Sequence, residues 1–191
     1  LRYGRGAGFV AFVLLGNLLG WFYAAPPIRL AYRGLGEVAT AATVGLFLPA
    51  MGYLVMAGGL DATYLLLAPA PLLYGAAFIV AVQIPDIEAD RLAGKNTLVS
   101  RRGRSWALRA LGLLAALATA YLFLIGPAMA GRLPRPLWPV GLLSTPVAGA
   151  ALWGALSAAP DRAGATRRVN AFLIALVGFV LLADLYWLAA L

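Results

Sequence analysis

Residues 83–98 read QIPDIEADRLAGKNTL and form the most polar stretch of a very apolar chain. They include three of the seven acidic residues and the only lysine. Asp86 and Asp90 are four residues apart, which on a helical turn places both side chains on one face. Carboxylates are costly close to a bilayer, so this cluster indicates a function. With Arg91 and Lys95 following, the pattern is typical of a Mg²⁺ and phosphate site. The alternative is a solvated loop of mixed charge.

The composition indicates an integral membrane protein. Hydrophobic residues make up 63% of the 191 residues and charged residues 12%, whereas soluble domains carry about 25% charged residues. There is no cysteine and no histidine, which excludes disulfides, thiolate nucleophiles, the usual zinc sites and imidazole catalysis. Any catalysis therefore depends on carboxylates, arginine, lysine, tyrosine or a metal bound by oxygen.

The hydropathy pattern predicts an all-α fold in which one domain spans residues 1–191. A membrane-spanning helix needs about 20 mostly apolar residues, and six such segments can be cut. Pro69 and Pro71 are expected to bend the third of them. The predicted spans are 6–23, 38–57, 62–84, 106–129, 137–159 and 169–191.

The positive charges predict the orientation of these spans. The net charge is +8, and eleven of the 15 basic residues fall on one side of the predicted bundle, against four on the other. The positive-inside rule makes the richer side cytoplasmic. Loops 24–37 and 85–105 both lie on that side, so the acidic cluster faces the cytoplasm. Because the arginines lie between apolar segments, we exclude a nucleic-acid partner.

A second polar loop, residues 23–37, reads YAAPPIRLAYRGLGE. Pro26-Pro27 ends the first helix and fixes an extended segment. Gly34 and Gly36 allow a tight return into the second helix. The alternative is a short interhelical loop whose arginines serve only topology. As a stiff hairpin, the loop would hold Tyr23, Arg29, Arg33 and Glu37 in place.

Together the two loops resemble the membrane-embedded prenyltransferases of the UbiA superfamily. Members carry a Tyr-x-x-Pro-Pro-x-Arg-Leu loop and, about 60 residues later, an Asp-x-x-x-Asp motif leading into Gly-Lys-x-Thr-Leu; both are present here in that order. The six spans agree with the later two-thirds of the family's nine-helix bundle. The family's earlier Asn-Asp-x-x-Asp motif has no counterpart here. We therefore expect a fragment that lacks about three N-terminal helices and is inactive alone.

The resemblance implies a role for each polar residue. Asp86 and Asp90 would be the catalytic residues and the Mg²⁺ ligands, with Glu88 and Gln83 in an outer shell. Gln83 stands where many relatives have Asn. Asn17 would line the apolar cavity or make a helix–helix hydrogen bond. The diphosphate of a polyprenyl diphosphate would be bound by Tyr23, Arg29, Arg33, Arg91 and Lys95.

The implied reaction is Mg²⁺-dependent ionisation of polyprenyl diphosphate to an allylic cation, which an aromatic acceptor attacks. The motifs look most like the bacterial quinone-pathway branch, such as 1,4-dihydroxy-2-naphthoate prenyltransferases in a multi-pass cell membrane. Two alternatives stay open: a transporter, although its charge would lie near the bilayer midplane, or another membrane lipid transferase. The sequence leaves the acceptor, the prenyl length and the oligomeric state open.

Overall fold

A computed structural model describes residues 6–157 and 161–189 of the chain. Within these ranges every regular element is helical, and short 3₁₀ turns lie at Leu30–Arg33 and Pro127–Met129. The helices are α1 (Ala7–Ala24), α2 (Gly36–Ala57), α3 (Ala62–Leu67), α4 (Pro69–Gln83), α5 (Ile87–Leu92), α6 (Leu98–Arg102), α7 (Arg104–Ile125), α8 (Trp138–Leu156) and α9 (Arg162–Leu188).

The predicted all-α membrane bundle is confirmed, with one span in two pieces. Helices α1, α2, α7, α8 and α9 are long and apolar enough to cross a membrane. The expected span 62–84 is divided at Ala68 into α3 and α4. Pro69 has no N–H to donate to the preceding turn, so the helix breaks there. The hydroxyl of Tyr121 donates to the carbonyl of Leu66 at 2.7 Å, so a neighbouring helix supplies a donor beside the break.

Helix α2 contains an irregular turn that the hydropathy pattern did not predict. Residues Thr43–Phe47 form a π-helical turn inside the span. Pro49, two residues after this turn, lacks the N–H that would bond the carbonyl of Gly45, while its ring crowds that carbonyl. A widened turn relieves this crowding.

Helices α4, α7 and α8 form the centre of the bundle, with α2 packed on α4 and α9 on α8. The α2–α4 contact is backbone against backbone. A Cβ on Gly45 would lie 2.6 Å from the Cα of Leu72, and one on Gly75 would lie 2.9 Å from the nitrogen of Gly45. Two glycines therefore allow an approach that any side chain would prevent.

Two predicted helix limits are wrong by several residues. Helix α9 begins at Arg162, not at 169, because the Asp161 carboxylate accepts the N–H of Gly164 at 2.8 Å and caps the helix. Helix α7 ends at Ile125, not at 129, where Gly126 and Pro127 interrupt it. Helix α8 ends at Leu156. The predicted ends at 159 and 191 lie outside the described residues, as do two of the basic residues used for orientation, Arg2 and Arg5.

Candidate functional site

The two motif-bearing loops meet at one end of the bundle. We call residues 25–35, between α1 and α2, loop A, and residues 84–103, between α4 and α7, loop B. Gly34 of loop A has a φ of +75°, and a Cβ there would lie 3.1 Å from the carbonyl oxygen of Asn96. Next to this contact, the carboxylate of Glu37 accepts the N–H of Leu98 at 2.5 Å. The structure therefore brings together stretches that lie far apart in the sequence.

Loop A presents two exposed arginines. Arg29 has a φ of +51°, an uncommon conformation for a residue other than glycine. Its guanidinium lies 4.0 Å from the centre of the Tyr32 ring, a cation–π contact. Arg33 donates to the carbonyl of Pro27 at 3.2 Å. Both cations are thus held by contacts within the loop while remaining open to solvent.

Loop B places the two predicted aspartates one helical turn apart. The N–H of Asp90 donates to the carbonyl of Asp86 at 2.8 Å, as on the single face expected from their spacing. Asp86 is exposed, whereas Asp90 is buried. The ammonium of Lys95 lies 2.8 Å from Oδ1 of Asp90. The hydrogen bond to Asp90 raises the pKa of Lys95, so Lys95 is a cation at neutral pH.

Two further charged residues of loop B have partners inside the loop or on α7. Arg91 donates twice to the carbonyl of Ser100, from Nε at 2.8 Å and from Nη2 at 2.6 Å. The carboxylate of Glu88 pairs with Arg104 at 2.5 Å, and this hydrogen bond lowers the pKa of Glu88. Glu88 therefore lies on the α7 side of the loop, engaged with a cation.

Tyr23 and Gln83 lie at the helix ends that lead into the two loops. The ring of Tyr23 is half-buried, and a Cβ on Gly36 would lie 3.3 Å from it. Tyr23 and Tyr32 add smaller contributions to the raised pKa of Lys95, so both phenols are within electrostatic reach of that ammonium. Gln83 is 6% exposed, and its amide oxygen and nitrogen are both buried without a hydrogen-bond partner among the described residues.

Asn17 lies away from both loops, within α1. Its amide nitrogen donates to the carbonyl of Val13 at 2.8 Å, so this hydrogen bond lies within α1 and does not join two helices. Asn17 lines an open, mainly apolar groove of about 550 Å³ between α1 and α2. The groove also includes Phe12, Gly16, Thr43 and Phe47.

The donor set at this end of the bundle fits a divalent cation that also binds phosphate. Among the described residues no group of three acidic side chains is arranged to hold a metal. Asp86 and Asp90 can supply two oxygens. Mg²⁺ is commonly bound by one or two carboxylates and completes its octahedron with water and substrate phosphates. The amide oxygen of Gln83, which has no hydrogen-bond partner among the described residues, can bind such a cation or accept a hydrogen bond from one of its water ligands.

Sequence reasoning missed the role of Glu37. Its carboxylate is 6% exposed and joins α2 to loop B. The available signal was an acidic residue in the first turn of a membrane span, a position where a charge is costly. No sequence pattern identifies its partner, which lies 61 residues away.

Comparison with known proteins identifies the family. The profile described as the UbiA prenyltransferase family matches residues 3–177. A curated relative from Bacillus subtilis (strain 168), named 1,4-dihydroxy-2-naphthoate octaprenyltransferase, is 28% identical over 134 residues, which is 70% of this chain and 42% of the relative. The match thus spans less than half the length of that relative. No solved structure shows a significant match to this chain. From its motifs, its helical membrane fold and this match over most of its length, the chain belongs to the UbiA prenyltransferase family.

Proposed function

We propose that the intact protein transfers a polyprenyl group from its diphosphate to an aromatic acceptor, at the end of the bundle where loops A and B meet. The observation that carries this proposal is the contact of the two loops through Gly34 with Asn96 and Glu37 with Leu98. These contacts join loop A, which carries Arg29 and Arg33, to loop B, which carries Asp86 and Asp90. Family membership supports prenyl transfer, and the name of the Bacillus relative supports an aromatic acceptor.

In this proposal Asp86 and Asp90 hold Mg²⁺, and Gln83 orients a ligand in the outer shell. Bound there, Mg²⁺ neutralises charge on the diphosphate and makes it a better leaving group. Asp90 is buried and Asp86 is exposed, so one carboxylate of the pair is enclosed by protein and the other is open to an incoming metal ion. Glu88 has an outer-shell role in this proposal and is not a metal ligand, since its carboxylate is paired with Arg104.

The cations of both loops stabilise the departing diphosphate. As the allylic C–O bond breaks, its electron pair leaves with the diphosphate, and Arg29, Arg33 and Lys95 interact with the growing negative charge. Arg91 bonds the carbonyl of Ser100 through Nε and Nη2, and its third guanidinium nitrogen, Nη1, would donate to the diphosphate. The Tyr23 ring faces the allylic cation or its hydroxyl donates to the diphosphate. An acceptor ring carbon then bonds the allylic carbon, and the ring loses a proton.

The proposed acceptor class rests on the name of the Bacillus relative. We propose 1,4-dihydroxy-2-naphthoate or a similar phenolic acid, as in menaquinone-type quinone biosynthesis, because the Bacillus relative is named for that substrate. The site would face the cytoplasm of a bacterial cell, where soluble acceptors and prenyl diphosphates are available. The apolar bundle would contain the prenyl chain and keep water from the cation.

The test uses the full-length protein in lipid nanodiscs with radiolabelled polyprenyl diphosphate. We expect Mg²⁺-dependent transfer to 1,4-dihydroxy-2-naphthoate that EDTA abolishes. Asp86→Asn and Asp90→Asn should each lower kcat by about a thousandfold, equivalent to about 4 kcal/mol. Wild-type rates in either variant would contradict the metal assignment, and transfer only to a different acceptor would contradict the acceptor assignment.

The matched control is Asp184→Asn, which removes an acid without approaching the site. Arg162, at the first turn of α9, is close enough to affect the pKa of Glu88, so the start of α9 lies at the loop end. Asp184 is 22 residues further along that helix, about 33 Å away at 1.5 Å per residue. Its substitution should leave kcat within about twofold of wild type.

A further inference from the structure

A buried carboxylate connects α2 with loop B. Glu37 lies in the first turn of α2 and is 6% exposed. Its Oε1 accepts the N–H of Leu98 at 2.5 Å, and its Oε2 is buried without a partner among the described residues. Burying a carboxylate is expensive, and a hydrogen bond from a backbone N–H offsets part of that cost. The contact therefore anchors one defined atom of loop B.

The anchored atom lies beside a series of local hydrogen bonds within loop B. Leu98 opens the short helix α6, whose cap is Thr97: its hydroxyl accepts the N–H of Ser100 at 3.0 Å. The hydroxyl of Ser100 lies within hydrogen-bond distance of two carbonyls, that of Thr97 at 2.9 Å and that of Lys95 at 3.3 Å. The N–H of Lys95 donates to the carbonyl of Asp90 at 2.9 Å. Each of these bonds joins residues close in sequence, so they fix the shape of loop B but not its placement.

The placement of loop B depends on contacts with other parts of the chain. On the loop A side, Gly34 approaches the carbonyl of Asn96 without a side chain. That van der Waals contact limits how closely the two loops approach, but it does not favour one orientation of loop B over another. The Glu37–Leu98 hydrogen bond is directional, because it needs both a short distance and an aligned N–H. It therefore selects one position of loop B against α2.

We propose that Glu37 is a positioning residue for prenyl transfer: its carboxylate fixes loop B so that Asp90 and Lys95 face the arginines of loop A. Glu37 has no contact with the diphosphate in this role, since both carboxylate oxygens are directed into the protein. The effect on catalysis depends on the proposed function. The effect on the placement of loop B depends only on the contact itself.

Three variants separate this role from a role in charge or proton transfer. Glu37→Gln keeps an oxygen that can accept the Leu98 N–H, whereas Glu37→Ala removes it. Leu98→Pro removes the donor and leaves Glu37 intact. Proline suits the first position of a helix, and Thr97 before it already has an extended ψ of 154°. Glu37→Ala and Leu98→Pro should therefore have the same effect.

The first measurement is hydrogen exchange of the full-length protein, read by mass spectrometry without substrate. The amides of residues 99–103 should exchange about tenfold faster in Glu37→Ala and Leu98→Pro and at the wild-type rate in Glu37→Gln. The double variant should be no faster than either single one, because both remove the same bond. Asp61→Ala is the control: Asp61 caps α3 by accepting the N–H of Tyr64 at 3.1 Å, so exchange should increase at 62–65 and not at 99–103.

The second measurement is transfer kinetics in the same preparations. Glu37→Ala and Leu98→Pro should raise KM for the prenyl diphosphate about tenfold, with Glu37→Gln within about twofold of wild type. Equal losses in Glu37→Gln and Glu37→Ala would overturn the proposal, because they would assign the effect to the charge. Unchanged exchange at 99–103 in Glu37→Ala would also overturn it. If the exchange results are as expected but the wild type transfers no prenyl group, the proposed function fails and the placement of loop B by Glu37 stands.

Discussion

The ammonium of Lys95 lies 2.8 Å from Oδ1 of Asp90, while its backbone N–H donates to the carbonyl of the same aspartate at 2.9 Å. One side-chain contact and one backbone contact thus join the two ends of the segment 90–95 within loop B. A carboxylate proposed as a metal ligand is thus paired with a cation in this structure. If Asp90 holds Mg²⁺, the metal would have to displace Lys95, whose ammonium would then be available to pair with a phosphate.

The first prediction concerns this exchange. Lys95→Met should bind a divalent cation more tightly in the absence of substrate, because Lys95 no longer competes for Asp90. The lysine side chain is 35% exposed, so the pair contributes about 1 kcal/mol, or about fivefold in affinity. The same variant should raise KM for the prenyl diphosphate by about tenfold. Mn²⁺ binding followed by electron paramagnetic resonance measures the first effect and steady-state kinetics the second.

Lys95→Arg is the control for both measurements, since it keeps a cation that can bond either partner. Its Mn²⁺ affinity should stay near that of the wild type. Weaker Mn²⁺ binding in Lys95→Met would mean that Lys95 supports the metal site instead of competing with it.

The second prediction concerns the Glu88–Arg104 pair and its pH dependence. The pKa of Glu88 is lowered from its ordinary value of 4.5, mainly by the hydrogen bond from Arg104. A lowered folded-state pKa means that the stabilisation is present above the unfolded-state value and is lost as the pH falls through the folded-state value. Wild type and Glu88→Gln should therefore differ in thermal stability at pH 7 and converge as the pH falls below about 4.5.

Transfer activity should respond little to the same substitution. Glu88→Gln should keep kcat within a few-fold of wild type, in contrast to Asp90→Asn. A loss in Glu88→Gln as large as that in Asp90→Asn would place Glu88 among the metal ligands.

The third prediction tests the orientation in the membrane. The chain contains no cysteine, so single cysteines can be introduced without background. Ala93, Ala163 and Ala130 are exposed in loops or at a helix start. Cysteines at 93 and 163 should react with a membrane-impermeant reagent only from the cytoplasmic side, and one at 130 only from outside. Labelling of position 93 from outside would reverse the orientation.

The fourth prediction concerns the close contact between α2 and α4. A Cβ at Gly45 would lie 2.6 Å from backbone atoms of Leu72 and Pro71, whereas one at Gly52 meets nothing within 4 Å. Gly45→Ala should therefore destabilise the bundle by about 1–3 kcal/mol through overpacking. Gly52→Ala, in the same helix, should be neutral or slightly stabilising. Thermal unfolding in detergent compares the two, and equal stabilities would show that the helices can separate without cost.

The spans could be predicted from the sequence because bilayer thickness sets the length of apolar segments. Their limits depend on chemistry that hydropathy does not describe. The Asp161 cap extends α9 by a polar first turn, and Pro69 divides a continuous apolar segment. The π-helical turn before Pro49 was missed because a proline in an apolar run leaves the hydropathy of the run unchanged.

For the candidate site, the sequence identified residue types but not partners. The spacing of Asp86 and Asp90 was enough to predict one helical turn, since their relation is local. The pairing of Glu88 with Arg104 and of Glu37 with Leu98 spans 16 and 61 residues. Such pairings depend on how the helices pack, which composition and spacing do not encode.

The contact between Gly45 and Gly75 also bears on the position of Glu37, which lies in the first turn of the same helix as Gly45. Glu37 lies eight positions before Gly45 in α2, or about 12 Å along the helix. If the two backbones serve as a pivot, a rotation of about 5° there moves Glu37 by about 1 Å, a displacement that can cost a catalyst about a hundredfold in rate. With such a pivot, the crossing angle of two helices in the apolar interior would control the alignment of a polar site at the end of the bundle.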